Sequence, residues 1–249
     1  MLDVTFVHHS CFVVELDHSI LIFDYFPPEA VMEYTFSGKL PELDESKHWY
    51  VFASHSHRDH FSLDILKGNA PQISYILSQD IRLGKNYLKR NQISEEIRSQ
   101  ITFVGAENHY VIDGICVDTL RSTDQGVAFV VTCEGITVYH AGDLHAWNWD
   151  QRGGSYCDIM SSSYQKEISH LKNRHIDIAF VVLDPRLEEG FANGMQYFLA
   201  HVDADVVFPM HMWQHYDLIE RLKHIPEIVP YQNKIVDIDR ENIIFHMES

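Results

Sequence analysis

Cysteine is scarce in this chain. The four residues, Cys11, Cys116, Cys133 and Cys157, are scattered and never form a C-x-x-C pair. They read as small apolar fillers in a reducing cytoplasm, so any metal must be carried by His and Asp. Positive charge is also short: 19 Lys and Arg stand against 36 Asp and Glu, a net charge of −17. Phosphate backbones are bound mainly by Lys and Arg, so this field argues against nucleic acid as a partner. No apolar run approaches the roughly 20 residues of a membrane helix, and no membrane association is expected. The opening "MLDVTFVHHSCFVVEL" has no basic stretch before its apolar residues and alternates like a strand, so no signal peptide is expected. There is no linker rich in Gly, Ser or Pro, no short-period repeat and no low-complexity tract. What remains is an ordinary globular chain of 249 residues, 45% hydrophobic and 22% charged. A single domain over residues 1–249 and a cytoplasmic location are the expectation.

The segments present are mostly strands. "DVTFVHH", "CFVVEL" and "SILIFD" are short β-rich runs, the last two joined by the turn "LDHS". "PPEAVMEYTFSGKLPELDESK" reads as a long loop. "HWYVFAS" and "QISYILS" read as strands, "SLDILK" as a helix capped by Ser62, and "QDIRLGKNYLKRN" as a helix. From Ile101 to His140 five strands follow one another, punctuated by "DG" and "EG". "AGDLHAWNWDQRGGSYCD" reads as a loop and "SSSYQKEISHLKNRH" as a helix. "IDIAFVVLD" and "DVVFPMH" are strands around the helix "GMQYFLAHV"; "HYDLIERLKHI" is a last helix before a closing strand. Two groups of strands with helices after each suggest two packed sheets with helices outside.

The chemistry concentrates in "VFASHSHRDHFS". Imidazole is a strong ligand for borderline metals, and carboxylate is a harder companion. In an extended segment residues two apart share a side, so His55 and His57 can grip one ion. Asp59 and His60 follow where the chain turns and can face a second ion. A polar loop of solvated histidines is the alternative, but four ionisable groups in six residues favour a cation. "TVYHAGD" and "VVFPMH" carry Asp143 and His211 to strand ends, where rigid scaffolds present functional groups.

With these motifs in their order, the sequence resembles the metallo-β-lactamase superfamily. H-x-H-x-D-H is its signature, "YHAGD" and "PMH" match its later motifs, and "HHSCFVVEL…ILIFD" resembles the start of its lactonase-like branch. The resemblance runs from the first strand to His211. It implies an α/β fold, a four-layer αββα sandwich of two mixed sheets with outer helices. It also implies a hydrolase that activates water with two divalent ions, zinc or manganese, held at one edge. By carry-over His55 and His57 belong to the first ion, Asp59, His60 and His211 to the second, and Asp143 bridges them. Asp59 is the residue to orient the water or shuttle its proton. His9 and Asp24 match the opening motifs and would orient ligands. The implied reaction is cleavage of an ester or lactone of a small-molecule substrate. The alternatives are a phosphodiesterase of the same fold and a non-catalytic metal-binding member.

The sequence departs from the family at one place. A third histidine for the first ion is missing: "DTLRSTDQGVAFVV" has none between His109 and His140. Asp124 is the nearest replacement, and a turn-shaping role before Gly126 is the equal alternative. His145, beside Asp143, is a candidate to line the substrate pocket, and Trp147 and Trp149 either wall it or pack the loop. Arg186, in "VLDPRLEEG", either clamps a substrate anion or makes an ordinary salt bridge.

Overall fold

The computed structural model describes residues 2–42, 44–67, 72–149 and 152–247. The chain divides into two compact units, one of residues 1–105 and 241–249, the other of residues 106–240. Each unit carries one mixed sheet.

In the first unit β1 (Leu2–His8), β2 (Cys11–Glu15) and β3 (Ser19–Phe23) form an antiparallel meander. The turn between the last two is closed by the Leu16 amide donating to Ser19 O at 2.8 Å. β4 (His48–Ala53), β5 (Ile73–Ser78) and β6 (Ile101–Val104) then add in parallel. β3 and β5 are buried along their whole length, the pattern of strands covered on both faces, whereas β6 at the sheet edge is largely open. Two short helices, α1 (Lys85–Arg90) and α2 (Glu95–Ser99), lie between β5 and β6. Val7, Val13, Ile22, Val51, Tyr75 and Leu77 share one packed core.

In the second unit β7 (His109–Ile112), β8 (Ile115–Arg121), β9 (Val127–Cys133) and β10 (Ile136–His140) are antiparallel neighbours. α3 (Gly154–Ile168) leads to β11 (His175–Val182), which adds in parallel beside β10, and α4 (Asn193–His201) leads to β12 (Asp203–Met210), which adds in parallel beside β11. α5 (Asp217–Lys223) follows, and β13 (Ile243–Met247) returns to pair with β1 in the first unit. No helix among the described residues is long and apolar enough to cross a membrane.

Most expected elements are present, with three differences. "SLDILK" forms only a 3₁₀ turn, Leu63–Lys67, although the Ser62 hydroxyl does accept the Asp64 amide at 3.2 Å. "QDIRLG" is not helical; α1 starts after Gly84, which has no side chain to cap an earlier turn. α3 begins within the segment read as a loop. Only Tyr164, Glu167 and Ile168 of α3 are buried, so its first half carries no apolar periodicity to betray it.

One buried residue has a measurable consequence. His8 is fully buried and donates from Nε2 to Phe26 O at 3.0 Å. Gly38 lies so close that a Cβ there would collide with the His8 ring and with Val7 O. Burial lowers the His8 pKa to about 4, against the opposing pull of Glu241 and the Phe26 carbonyl. An unfolded histidine titrates near 6.5, so between the two values the unfolded chain binds the extra proton. Stability is therefore expected to fall as pH drops from about 6.5 to 4. Urea titrations of the parent and of His8→Gln across that window should diverge on the order of 3 kcal/mol at the acid end. Parallel curves would remove His8 from the acid response.

Candidate functional site

In the first unit the donors follow the carboxyl ends of β3 and β4. Phe23 and Phe52 stack at 4.8 Å inside these strands, and the Asp24 amide donates to Phe52 O at 3.0 Å. Asp24 is buried; its Oδ1 accepts the Ser54 amide at 2.7 Å and its Oδ2 the Ser54 hydroxyl at 2.6 Å. The next residue, His55, is thereby fixed, and its Nδ1 sits 3.0 Å from Ser54 Oγ. That hydroxyl already gives its proton to Asp24, so His55 Nδ1 is the donor and the lone pair falls on Nε2. His55 Nε2 and His57 Nδ1 are 2.9 Å apart. Ser56, between them, is tied by its amide to Asp80 at 2.8 Å.

A turn then folds the loop back. The His60 and Phe61 amides donate to His57 O at 3.0 and 2.9 Å. His60 Nδ1 meets Asp24 Oδ2 at 2.7 Å, and its Nε2 faces Asp59 Oδ2 at 3.9 Å. His9 Nε2 faces the same Asp59 oxygen at 3.4 Å. His9, Asp59 and His60 each offer a ligand atom within 4.8 Å of the others. Arg58 points away into an exposed pair with Glu33.

In the second unit Asp143 follows β10 across Ala141 and Gly142. Gly142 has φ 51°, the left-handed backbone that this sharp exit requires. The Thr123 hydroxyl donates to His145 O at 2.6 Å and accepts the His145 amide at 3.0 Å, pinning this loop. Trp147 Nε1 donates to Asp143 O at 2.9 Å. His211 follows β12; its Nε2 faces Asp143 Oδ1 at 3.3 Å and its Nδ1 lies 2.8 Å from Asp184 Oδ2. Asp184 is fully buried at the end of β11. Burial pushes its carboxyl up, but hydrogen bonds from His211 and Arg186 outweigh that and hold it well below the ordinary range.

The proton on His211 can be placed from this network. Asp184 Oδ2 also receives Arg186 Nη2 at 2.6 Å and Trp213 Nε1 at 3.4 Å, so it has no proton to give. His211 Nδ1 must donate, and the Nε2 of a neutral ring is then an acceptor facing a carboxylate oxygen. Two acceptors at that distance repel unless a proton or a cation lies between them. His60, held by Asp24 and facing Asp59, repeats the arrangement in the first unit. This donor chemistry, imidazole nitrogens and carboxylate oxygens oriented by a second carboxylate, fits a borderline divalent ion.

The remaining candidates fall as follows. Asp124 is exposed in the turn after β8, where its amide donates to Ser122 Oγ at 3.2 Å, and a carboxylate oxygen lies within 4.8 Å of one of Asp143. His145 is fully buried, with neither ring nitrogen hydrogen-bonded; burial takes its pKa down to about 4. Gly194 presses on its ring so tightly that no Cβ would fit. Trp147 and Trp149 stack at 5.9 Å, and Trp147 stands edge-on to His211 at 5.8 Å. Arg186 makes the salt bridge, to Asp184. Asp184, Ser54 and Trp213 are not singled out by the sequence, whereas Thr123, a weaker candidate than Asp124 for the missing ligand, turns out to pin the Asp143 loop. A signal for Asp184 is present in the sequence: "VLDPR", like "LIFD" at Asp24, ends an apolar strand in an aspartate.

Residues 3–156 match the model of the family described as the Beta-lactamase superfamily domain. A UPF0173 metal-dependent hydrolase of Methanospirillum hungatei is 26% identical over 227 residues, which span 84% of this chain and 82% of that protein. Igni18, a novel metallo hydrolase from the hyperthermophilic archaeon Ignicoccus hospitalis, has a solved structure that superposes with a TM-score of 0.61. Its identity is 15%, over 99% of both chains. The metallo-beta-lactamase fold protein YhfI from Bacillus subtilis gives 0.55 at 12% identity, over 99% of this chain and 100% of its own. Likeness at such identities concerns the fold, and the α/β metallo-β-lactamase fold with two mixed sheets is borne out by it.

Proposed function

This chain belongs to the β-lactamase superfamily, and we propose that it is a metal-dependent hydrolase that cleaves an ester or lactone of a small molecule. The observation that carries the reading is the repeated triad of carboxylate, imidazole and carboxylate: Asp24, His60, Asp59 in one unit and Asp184, His211, Asp143 in the other. In each, the inner carboxylate fixes the ring so that Nε2 is offered to a cation.

On the superfamily's pattern, His55, His57 and Asp124 would hold a first ion and Asp59, His60 and His211 a second, with Asp143 shared by both. Two divalent ions there, zinc or manganese, would supply Lewis acidity and make a bound water acidic near neutral pH. Asp59, whose Oδ2 faces His9 Nε2 at 3.4 Å, would orient a water and accept a proton from it. Arg186, 42% exposed, would face the substrate side, whereas His145, buried under Gly194, would back the pocket rather than touch substrate; the stacked Trp147 and Trp149 would exclude bulk water. The four free cysteines suit the cytoplasmic setting of the reading.

The test is metal analysis of the purified protein, followed by assay of the Zn- and Mn-loaded forms on aliphatic esters, lactones and phosphodiesters. Turnover of the esters or lactones supports the reading. Turnover confined to phosphodiesters replaces it with a phosphodiesterase. Bound metal without turnover on any of them makes the protein a non-catalytic binder.

Asp124 carries its own expectation. Two imidazoles and one bridging carboxylate leave a first zinc ion one ligand short of four. A crystal structure of the Zn-loaded protein should place an Asp124 oxygen about 2.0–2.2 Å from that ion. A carboxylate turned to backbone amides instead would leave Asp124 as a turn residue.

A further inference from the structure

Arg186 is held more firmly than a partly exposed substrate clamp requires. Its Nε donates to both oxygens of Asp184, at 2.9 and 3.0 Å, and its Nη2 to Oδ2 at 2.6 Å. The guanidinium carbon lies 4.8 Å from the ring centre of Trp213, 5.7 Å from that of Trp149 and 5.9 Å from that of Trp147. Three aromatic faces around one guanidinium fix its plane as well as its position. The backbone contributes too. Pro185, which has no N–H, opens the 3₁₀ turn Pro185–Gly190, and Asp184 Oδ1 caps it by accepting the Arg186 amide at 2.8 Å. The carboxylate is therefore gripped on one side by the side chain and amide of Arg186. Its Oδ2 is directed at His211 Nδ1 on the other.

We propose that Arg186 is a positioning residue for metal binding: by clamping Asp184 it fixes the orientation and tautomer of His211, so that Nε2 is presented to the ion. The inference rests on the reading of His211 as a metal ligand, and it gives Arg186 a task separate from contact with substrate. The two tasks have different signatures. A clamp acts on KM with the metal unchanged. A positioning residue acts on metal affinity in the absence of any substrate.

The experiment uses the full chain with Zn(II) as probe. Zn affinity is measured by chelator competition for the parent, Arg186→Met, Arg186→Lys, Asp184→Asn and His211→Ala. The His211 ring is followed by nitrogen NMR in the metal-free protein. Outer partners of ligating histidines are typically worth 10–100-fold in affinity, and that loss is expected for Arg186→Met and Asp184→Asn. Both should also show His211 as a mixture of tautomers. Arg186→Lys keeps the charge without the planar fork and should restore only part of the affinity. It also keeps the proposal testable if Arg186→Met does not fold. Parent-like affinity and an unchanged tautomer in Arg186→Met or Arg186→Lys, with only KM altered, would overturn the proposal and leave a substrate clamp. Full Zn binding by His211→Ala would overturn it differently, because His211 would then not be a ligand at all.

Discussion

Alanine at His57, Asp143 or His211 is expected to lower metal affinity by more than about 100-fold in each case, and turnover with it. An outer-sphere partner alone is worth roughly 10–100-fold, so removal of a donor atom should exceed that range. The three come from separate motifs. His57 follows β4, Asp143 follows β10 and His211 follows β12. A common loss would tie all three to one centre. The pattern also reports which ion each serves. His57→Ala should remove one equivalent and leave the other, whereas Asp143→Ala, missing the bridge, should weaken both. Stoichiometry by atomic emission after gel filtration is the measurement. Parent-like metal content in all three variants would remove the assignment.

Asp24→Ala should be the most destabilising of the site substitutions, by several kcal/mol, because each buried donor left without its acceptor costs about 1–3 kcal/mol. Its carboxylate receives three donors: the Ser54 amide, the Ser54 hydroxyl and His60 Nδ1. All three would be left buried without it. Ser54 would also lose its hold on His55, so the loop that carries four donors would loosen at its first residue. Urea denaturation of the metal-free protein isolates this effect from metal binding. Asp24→Asn keeps the acceptor for the Ser54 amide and should recover part of the loss. A shift below 1 kcal/mol for Asp24→Ala would mean that the loop is held by other means.

The donors that share a short stretch were legible before any coordinates. His55, His57, Asp59 and His60 announce themselves because four ligating side chains fall in one turn after an apolar strand. Asp143 and His211 are legible because each ends a strand. What the sequence hides is the pairing that makes them usable. Asp184 and His211 are 27 positions apart, and only the parallel register of β11 and β12 sets Leu183 and Met210 in neighbouring rows. For Arg186 the sequence leaves clamp and salt bridge open, and only the fold supplies the buried carboxylate of Asp184 beside it. The strands are legible because each is either a short apolar run, as in β3 and β11, or an alternating one, as in β8. The first part of α3 is not, because "GSYCDIMSSSY" is rich in serine and buries little.

His9, Asp24 and His211 share one further property: their φ angles are 48°, 46° and 65°. Side chains bearing a Cβ avoid that region, at a cost of order 1–3 kcal/mol each. Glycine adopts it freely. All three side chains are buried, so glycine would relieve that strain only by leaving a cavity and, at Asp24 and His211, buried hydrogen-bonding partners without their mates, a loss of similar or larger size. Selection for heat resistance alone should therefore leave these positions unchanged, and thermostable variants of this protein are best sought away from them.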